Sequence, residues 1–143
     1  MSAHHRVYLV SCVSQKTPYP NRAGDLYVSP LFRKARAYVL KSGSPWFILS
    51  AEHGLVHPDD VLDPYEKTLN NMRAAERRAW AEKVQYQMET MLPDADEIVL
   101  FAGQRYREYI ESWLRRRFAS VQVPMRGLQI GKQLQWLSEN EPC

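Results

Sequence analysis

The stretch from Trp46 to Thr68 reads WFILSAEHGLVHPDDVLDPYEKT. Its opening, Trp46 to Ala51, has the apolar content and length of a strand covered on both faces. The chain then passes into Glu52, His53, Asp59, Asp60, Asp63 and Tyr65, a run of acid–base and hydrogen-bonding groups. In a parallel α/β sheet, binding and catalysis gather in the crevice just beyond the carboxyl ends of the strands. Whether the rest of the chain builds such a sheet decides what this segment is for.

Three further runs share the strand character: RVYLVSCV (Arg6–Val13), EIVLFAG (Glu97–Gly103) and SVQVPM (Ser120–Met125). Helical patterns fill the intervals. Pro30 suits a first helical turn, LFRKARAYVL continues to Lys41, and Gly43 is a stop. From Asn71 to Leu92, the residues Met72, Ala75, Ala79, Trp80, Val84, Met88 and Met91 recur at helical spacing, and Pro93 ends the run. Tyr106, Ile110, Trp113, Leu114 and Phe118 make one stripe between Gln104 and Phe118. A last helix is expected from Gly127 to Ser138, with Ile130, Leu134 and Leu137 inward. These stripes read as core. The alternation predicts an α/β fold of three layers: a mostly parallel sheet of four strands, or slightly more, with helices on both faces. QKTPYPNRAGD (Gln15–Asp25) reads as an ordered loop, and ENEPC as a frayed tail.

At 143 residues, 45% hydrophobic and 24% charged, the chain is expected to form one domain spanning 1–143. No apolar run reaches membrane-spanning length, and MSAHHRVYLV lacks the apolar core of a signal peptide, so the expected compartment is the cytoplasm. Cys12 and Cys143 offer neither a disulfide framework nor paired ligand spacing. His4, His5 and His57 show no ligand pattern either, and no metal or cofactor is expected. The net charge of +3 does not announce a nucleic-acid binder. Arg73, Arg77, Arg78 and Lys83 on one expected helix, and Arg115, Arg116 and Arg117 on another, are either solvated faces or local phosphate grips.

Each expected strand leads into a polar segment, and in a parallel sheet all four segments open on one edge. The first supplies Ser11, Ser14, Lys16 and Thr17, either a simple turn or a phosphate-binding one. The glycine spacing of a nucleotide-binding P-loop is missing. After the second strand, Gly54 permits a sharp turn, and His53 is either a hydrogen-bonding residue or part of the chemistry. Asp25, Glu52, Asp60 and Asp63 are candidates to orient water or steady a developing positive charge, although Asp59 and Asp60 equally fit a turn after Pro58. The third segment gives Gly103, Gln104, Arg105 and Tyr106, and the fourth gives Arg126, Gly127 and Gly131.

Taken together, the segments resemble a known family. LSAEHGLVHPDDVLDPYEKTL is similar to the signature of the YaaA-like superfamily and its small relatives: a Ser-Ala pair before Gly-Leu, then Pro-Asp, then Pro-Tyr. VSCVSQKT resembles the opening strand of that family, with its Ser/Cys and Lys-Thr. GDLYVSPLFRKARAY, FAGQRYREYI and PMRGLQIGKQLQWL resemble its later elements. The resemblance covers nearly the whole chain. It implies an α/β protein tied to nucleic acids, and relatives that look like DNA glycosylases excising modified phage bases such as glucosylated hydroxymethylcytosine. The implied site is Lys16, Asp25, Tyr27, Ser29, Ser50, Gly54, Pro58, Asp60 and Tyr65, with Gly103, Tyr106 and Gly127. Glu52 and His53 fall where the family pattern is free.

The leading expectation is therefore a DNA glycosylase acting on a flipped nucleotide in antiviral defence. Asp25, Asp60, Glu52 or Asp63 would steady the sugar, and Lys16 would neutralise a phosphate or attack the sugar carbon. Tyr27, Tyr65 or Tyr106 would stack on the base, with Ser11, Cys12, Ser14, Ser29, Ser50, His53, Gly54 and Gly103 around it. Arg105, Arg107, Arg126, Gly127 and Lys132 would hold backbone phosphate. Two alternatives stand beside it: a non-catalytic DNA-binding stress-protection protein, and a hydrolase or transferase acting on the N-ribosyl bond of free nucleotides or nucleosides.

Overall fold

The apolar run Val7 to Val10 is at most 2% exposed at every position, which requires cover on both faces of its strand. The computed structural model describes residues 4–140; Cys143 and the last residues of the ENEPC tail lie outside that range. The run belongs to β1 (His4–Ser11), which pairs in parallel with β3 (Trp46–Ser50) on one side and β6 (Ala95–Phe101) on the other. β7 (Ser120–Gln122) extends the sheet in parallel beyond β6, while β4 (Gly54–Val56) runs antiparallel outside β3. The order is β4-β3-β1-β6-β7, a mixed α/β architecture with a five-stranded, mostly parallel sheet.

β4 is the strand of the central sheet that apolar patterning did not foretell. Past Ser50 the chain turns back at once: Gly54 adopts φ +78° and pairs with Ser50 across the hairpin. Glu52 and His53 therefore sit in a tight turn. Only three residues long, β4 shows no alternation to read, yet all three are buried. A Cβ on Gly54 would lie 2.2 Å from Gln87 Oε1, whose amide accepts from Leu55 N and donates to His53 O. Gly54→Ala should therefore lower stability by roughly 2–3 kcal/mol, from left-handed strain of about 1–2 and a displaced hydrogen bond of about 1. Chemical denaturation measures this, and an unchanged midpoint would show that the turn tolerates a side chain.

The helices depart from expectation at their ends. α2 (Pro30–Ser42) begins as read, with the Ser29 hydroxyl accepting from Phe32 N and Gly43 at φ +73° closing it. α3 (Ala74–Met91) starts three residues later than its pattern; Trp80, Val84 and Met88 are buried, but Ala75 and Ala79 face solvent. The single helix expected over 104–118 is two, α4 (Gln104–Arg107) and α5 (Glu111–Arg117). Between them the Tyr109 carbonyl accepts from Gln85 Nε2, and this side chain inserted into the ladder breaks the helix. α6 (Ile130–Glu139) begins after Gly127, whose φ of +77° excludes it from the helix, and Ile130 is exposed rather than core. The Gln15–Asp25 loop carries more structure than expected. β2 (Asn21–Arg22) pairs with β5 (Val61–Leu62) in a separate ribbon, and α1 (Ala23–Leu26) follows it.

α2 and α6 pack on each other, with the rings of Tyr38 and Trp136 centred 5.5 Å apart against Phe101 of the sheet. α3 packs along β4, and its Trp80 indole donates to the Ser50 carbonyl at 2.9 Å. The carboxyl end of β3 is thus fixed from the side.

Candidate functional site

Because β1, β3, β6 and β7 are mutually parallel, their carboxyl ends share one edge. The chain steps from β1 to β3 in one direction and later returns to β6 on the other flank, leaving a crevice between the ends of β1 and β6. A cleft of about 820 Å³ opens there. Ser11, Cys12 and Ser14 wall it after β1, Ser29 at the start of α2, Gly103 and Tyr106 after β6, and Gly127 before α6.

Beside this cleft lies a connected network. The Cys12 thiol is 3.4 Å from the Tyr106 hydroxyl and accepts from Ala51 N at 3.4 Å. The Tyr106 hydroxyl also accepts from Leu69 N. Ser50 Oγ accepts from His53 N at 3.0 Å and lies 2.8 Å from the Tyr65 hydroxyl, itself 2.6 Å from the Tyr27 hydroxyl. Burial pushes the phenols of Tyr27, Tyr65 and Tyr106 well up, and the neighbouring Cys12 adds to this. They are neutral hydroxyls at physiological pH. The segment 50–69 is in this way bonded to Tyr27 and Tyr106 rather than left as a free connector, and its Lys67 and Thr68 line the cleft.

Lys16 stands over this network. Its amine is 4.3 Å from the centre of the Tyr65 ring and 5.7 Å from that of Tyr27, and it donates to the Ser14 carbonyl at 3.3 Å. Burial lowers its pKa from the ordinary 10.5, opposed by Cys12 and Glu66. Two aromatic faces and a carbonyl hold the ammonium less strongly than a carboxylate would. An amine so held is more readily uncharged.

The carboxylates singled out in the sequence do not gather at the cleft, which no acid lines among the described residues. Asp25 pairs with Arg36 at 3.0 Å beside Trp46, at the opposite end of β3 from Ser50, where it lines a smaller cleft of about 340 Å³. Asp60 is consumed by its turn: its carboxylate accepts from His57 N and its carbonyl from Ala23 N. Asp63 is exposed on the loop after β5. Glu52 comes nearest, through an ion pair at 3.4 Å with Lys67, which does line the cleft. Residue type and loop position suited all four acids, but which end of β3 a loop folds over is set by tertiary packing. His53 packs its ring edge-on to Tyr65.

The arginine corner is more ordered than its sequence implied. Arg107 is buried, bonded to the Ala102 carbonyl at 2.8 Å and to Glu111 at 3.2 Å, so it braces the turn after β6. Arg115 and Arg126 reach Glu111 Oε2 at 3.0 and 2.9 Å. Arg77, read as part of a helix face, is buried against Glu108 at 2.5 Å; Arg105 lies 3.9 Å from the same carboxylate. Lys132 is exposed on α6, next to Gln135. Glu111 was missed in the sequence, although Arg107, Glu111 and Arg115 at successive four-residue intervals carry the signal of a helical ion-pair row.

Glu111 should also set an acid limit on stability. Burial raises its pKa, but the bonds from Arg115, Arg126 and Arg107 outweigh this and hold it below the ordinary 4.5. A carboxyl depressed in the folded state contributes stability above its unfolded pKa and loses it as pH falls through the folded one. The melting temperature should fall on acidification below about 4.5, and the Glu111→Gln variant should show a shallower fall in that window. Equal acid slopes would contradict it.

The fold and cleft define an α/β protein whose sheet ends open onto a pocket of hydroxyls, amides and apolar side chains, with the half-buried Lys16 following the wall residues Ser14 and Gln15 in the chain. Residues 7–139 match the model of a family of unknown function, DUF6884, and the chain belongs to that family. It is also 33% identical over 100 residues to the uncharacterized protein YfjM of Bacillus subtilis (strain 168), a match covering 65% of this chain and 62% of that protein. No solved structure matches. Among the described residues, no group of three or more His, Cys, Asp or Glu is placed to hold a metal, and no helix is long and apolar enough to cross a membrane.

Proposed function

We propose that this chain is a DNA glycosylase of the cytoplasm that takes a flipped nucleotide into the cleft and excises a modified base, such as glucosylated hydroxymethylcytosine, in antiviral defence. The observation that carries this reading is the Lys16 amine, half-buried beside the crevice of a parallel sheet and held by rings rather than by an acid. The similarity of Val10–Thr17, Leu49–Leu69 and the later elements to the YaaA-like superfamily supports it, as does the consecutive burial of β1, which fits helices on both faces in three layers.

Among the described residues no carboxylate lines the cleft, and Lys16 follows its wall residues Ser14 and Gln15 without lining it; in this reading the work assigned to Asp25, Asp60 and Asp63 passes to Lys16, which would reach in from that edge. The uncharged amine attacks the sugar C1′ as the bond to the base nitrogen breaks. The electron pair of that bond leaves with the base, which takes up a proton from water. The attacking nitrogen loses its protons to solvent and to the sugar ring oxygen as the ring opens to an imine, and water then hydrolyses the imine and frees Lys16. Ser11, Ser14 and Ser29, with the neutral Tyr106 hydroxyl, offer the donors and acceptors that would read the base edge.

Plain and hypermodified phage DNA, incubated with the protein and analysed by mass spectrometry for freed base, tests the proposal. Release from modified DNA with matching abasic sites is expected. No release from any DNA at micromolar protein overturns it.

The lack of an acid in the cleft also favours a second reading, a non-catalytic DNA-binding protein of stress protection, in which Lys16 only grips phosphate. Lys16→Arg would then retain function. A protein acting on free nucleotides would instead cleave mononucleotides without polymeric DNA.

A further inference from the structure

We infer that the corner formed by α4 and α5 is a phosphate clamp that grips the nucleic-acid backbone at the mouth of the cleft. The identity of the polymer rests on the function proposed above; the clamp itself rests on charge and geometry. Two carboxylates face five guanidiniums there: Arg77 and Arg105 on Glu108, and Arg107, Arg115 and Arg126 on Glu111. These seven groups leave a local surplus of three positive charges.

The division of labour among these arginines is visible in their exposure. Arg77 and Arg107 have side chains only 9% and 10% exposed and act as braces. Arg105, Arg115 and Arg126 have side chains 52%, 50% and 52% exposed, with guanidinium donors left over after each meets a carboxylate. Glu111 Oε2 accepts from Arg115 and Arg126 together, which holds two planar forks side by side. Paired forks match the oxygens of a phosphodiester, and each keeps its charge at any physiological pH. The site adjoins the cleft, since Arg107 and Gly127, the neighbour of Arg126, both line it.

A nucleic-acid backbone fits better than an anionic membrane. Membrane-surface binding combines charge with inserted apolar side chains, and among the described residues none of the five large exposed apolar ones (Tyr19, Leu40, Val61, Tyr86 and Ile130) lies on α4 or α5.

The test is the salt dependence of binding to a labelled, unmodified DNA duplex and to its single strand. The wild-type chain is compared with Arg115→Ala/Arg126→Ala and with Arg105→Gln, which leaves both Glu111 forks intact. The slope of log affinity against log salt should shallow by roughly two in the double variant and by roughly one in Arg105→Gln, following the phosphates no longer neutralised. Affinity at about 0.1 M salt should fall tenfold or more in the double variant, with circular dichroism unchanged. Equal slopes in all three proteins, no DNA binding by the wild type at low salt, or a preference for phosphatidylserine vesicles over DNA would each overturn the clamp. The readout is independent of catalysis. Binding that follows the arginines without base release sinks the glycosylase reading alone, while base release with unaltered slopes sinks the clamp alone.

Discussion

Lys16→Ala should reduce base release by roughly 10³-fold, about 4 kcal/mol of transition-state stabilisation, while the fold persists. The amine is the group that would bond to the sugar, so the variant removes the reacting atom rather than a contact to it. The cost to stability is small by comparison: a cation–π contact with Tyr65 and one hydrogen bond to Ser14, about 1–2 kcal/mol together. Lys16→Arg sharpens the test. It keeps a cation near the two rings but cannot form an imine, so it should be as inactive as the alanine variant. Because burial lowers the Lys16 pKa, the rate should rise with pH and level off below the ordinary lysine value of 10.5. A Lys16→Arg protein with near-normal base release would reduce Lys16 to an electrostatic role.

The largest expected effect on stability lies elsewhere, at Glu108. Its carboxylate meets the buried Arg77 at 2.5 Å, and Arg77 also donates to the Met72 carbonyl, tying the start of α3 to the turn between α4 and α5. Glu108→Ala leaves the Arg77 guanidinium without its counterion and should clearly lower the midpoint of unfolding. The double replacement Arg77→Met/Glu108→Leu removes both charges and restores apolar volume, and should cost distinctly less than the single change. Thermal and chemical denaturation of both variants decide the point. Were the double variant the less stable of the two, the pair would be stabilising beyond mutual charge compensation. Since Arg105 shares Glu108, the single variant should also loosen one exposed arginine of the proposed clamp.

How much of this could be read from residues alone follows a physical division. Long apolar runs declare themselves, because burial on both faces demands it; β1, β3 and β6 fall within two residues of their expected ends. The parallel edge and its polar segments followed from that alternation. β4 stayed hidden because three residues carry no period, and the break at Tyr109 because its cause, Gln85, sits 24 positions away. The site divides in the same way. Lys16, Ser50 and Tyr65 meet, and Tyr106 reaches Cys12 in the cleft wall, because the strand ends that carry them, or the loops leaving those ends, share one edge. Asp25 does not join them, because the Gln15–Asp25 segment folds through β2 and α1 toward the start of β3, where Gly24 N donates to the Pro58 carbonyl. Loop chemistry marks a candidate acid; only packing decides which end of the strand it reaches.

The central claim is that Lys16 forms a covalent bond to the sugar of an excised nucleotide, and trapping that bond tests it most directly. Borohydride added during turnover on modified DNA should reduce the imine to a stable protein–DNA adduct, which peptide mapping places on Lys16 and which Lys16→Ala lacks. Base release that yields no trapped adduct, or an adduct on another lysine, would contradict the account.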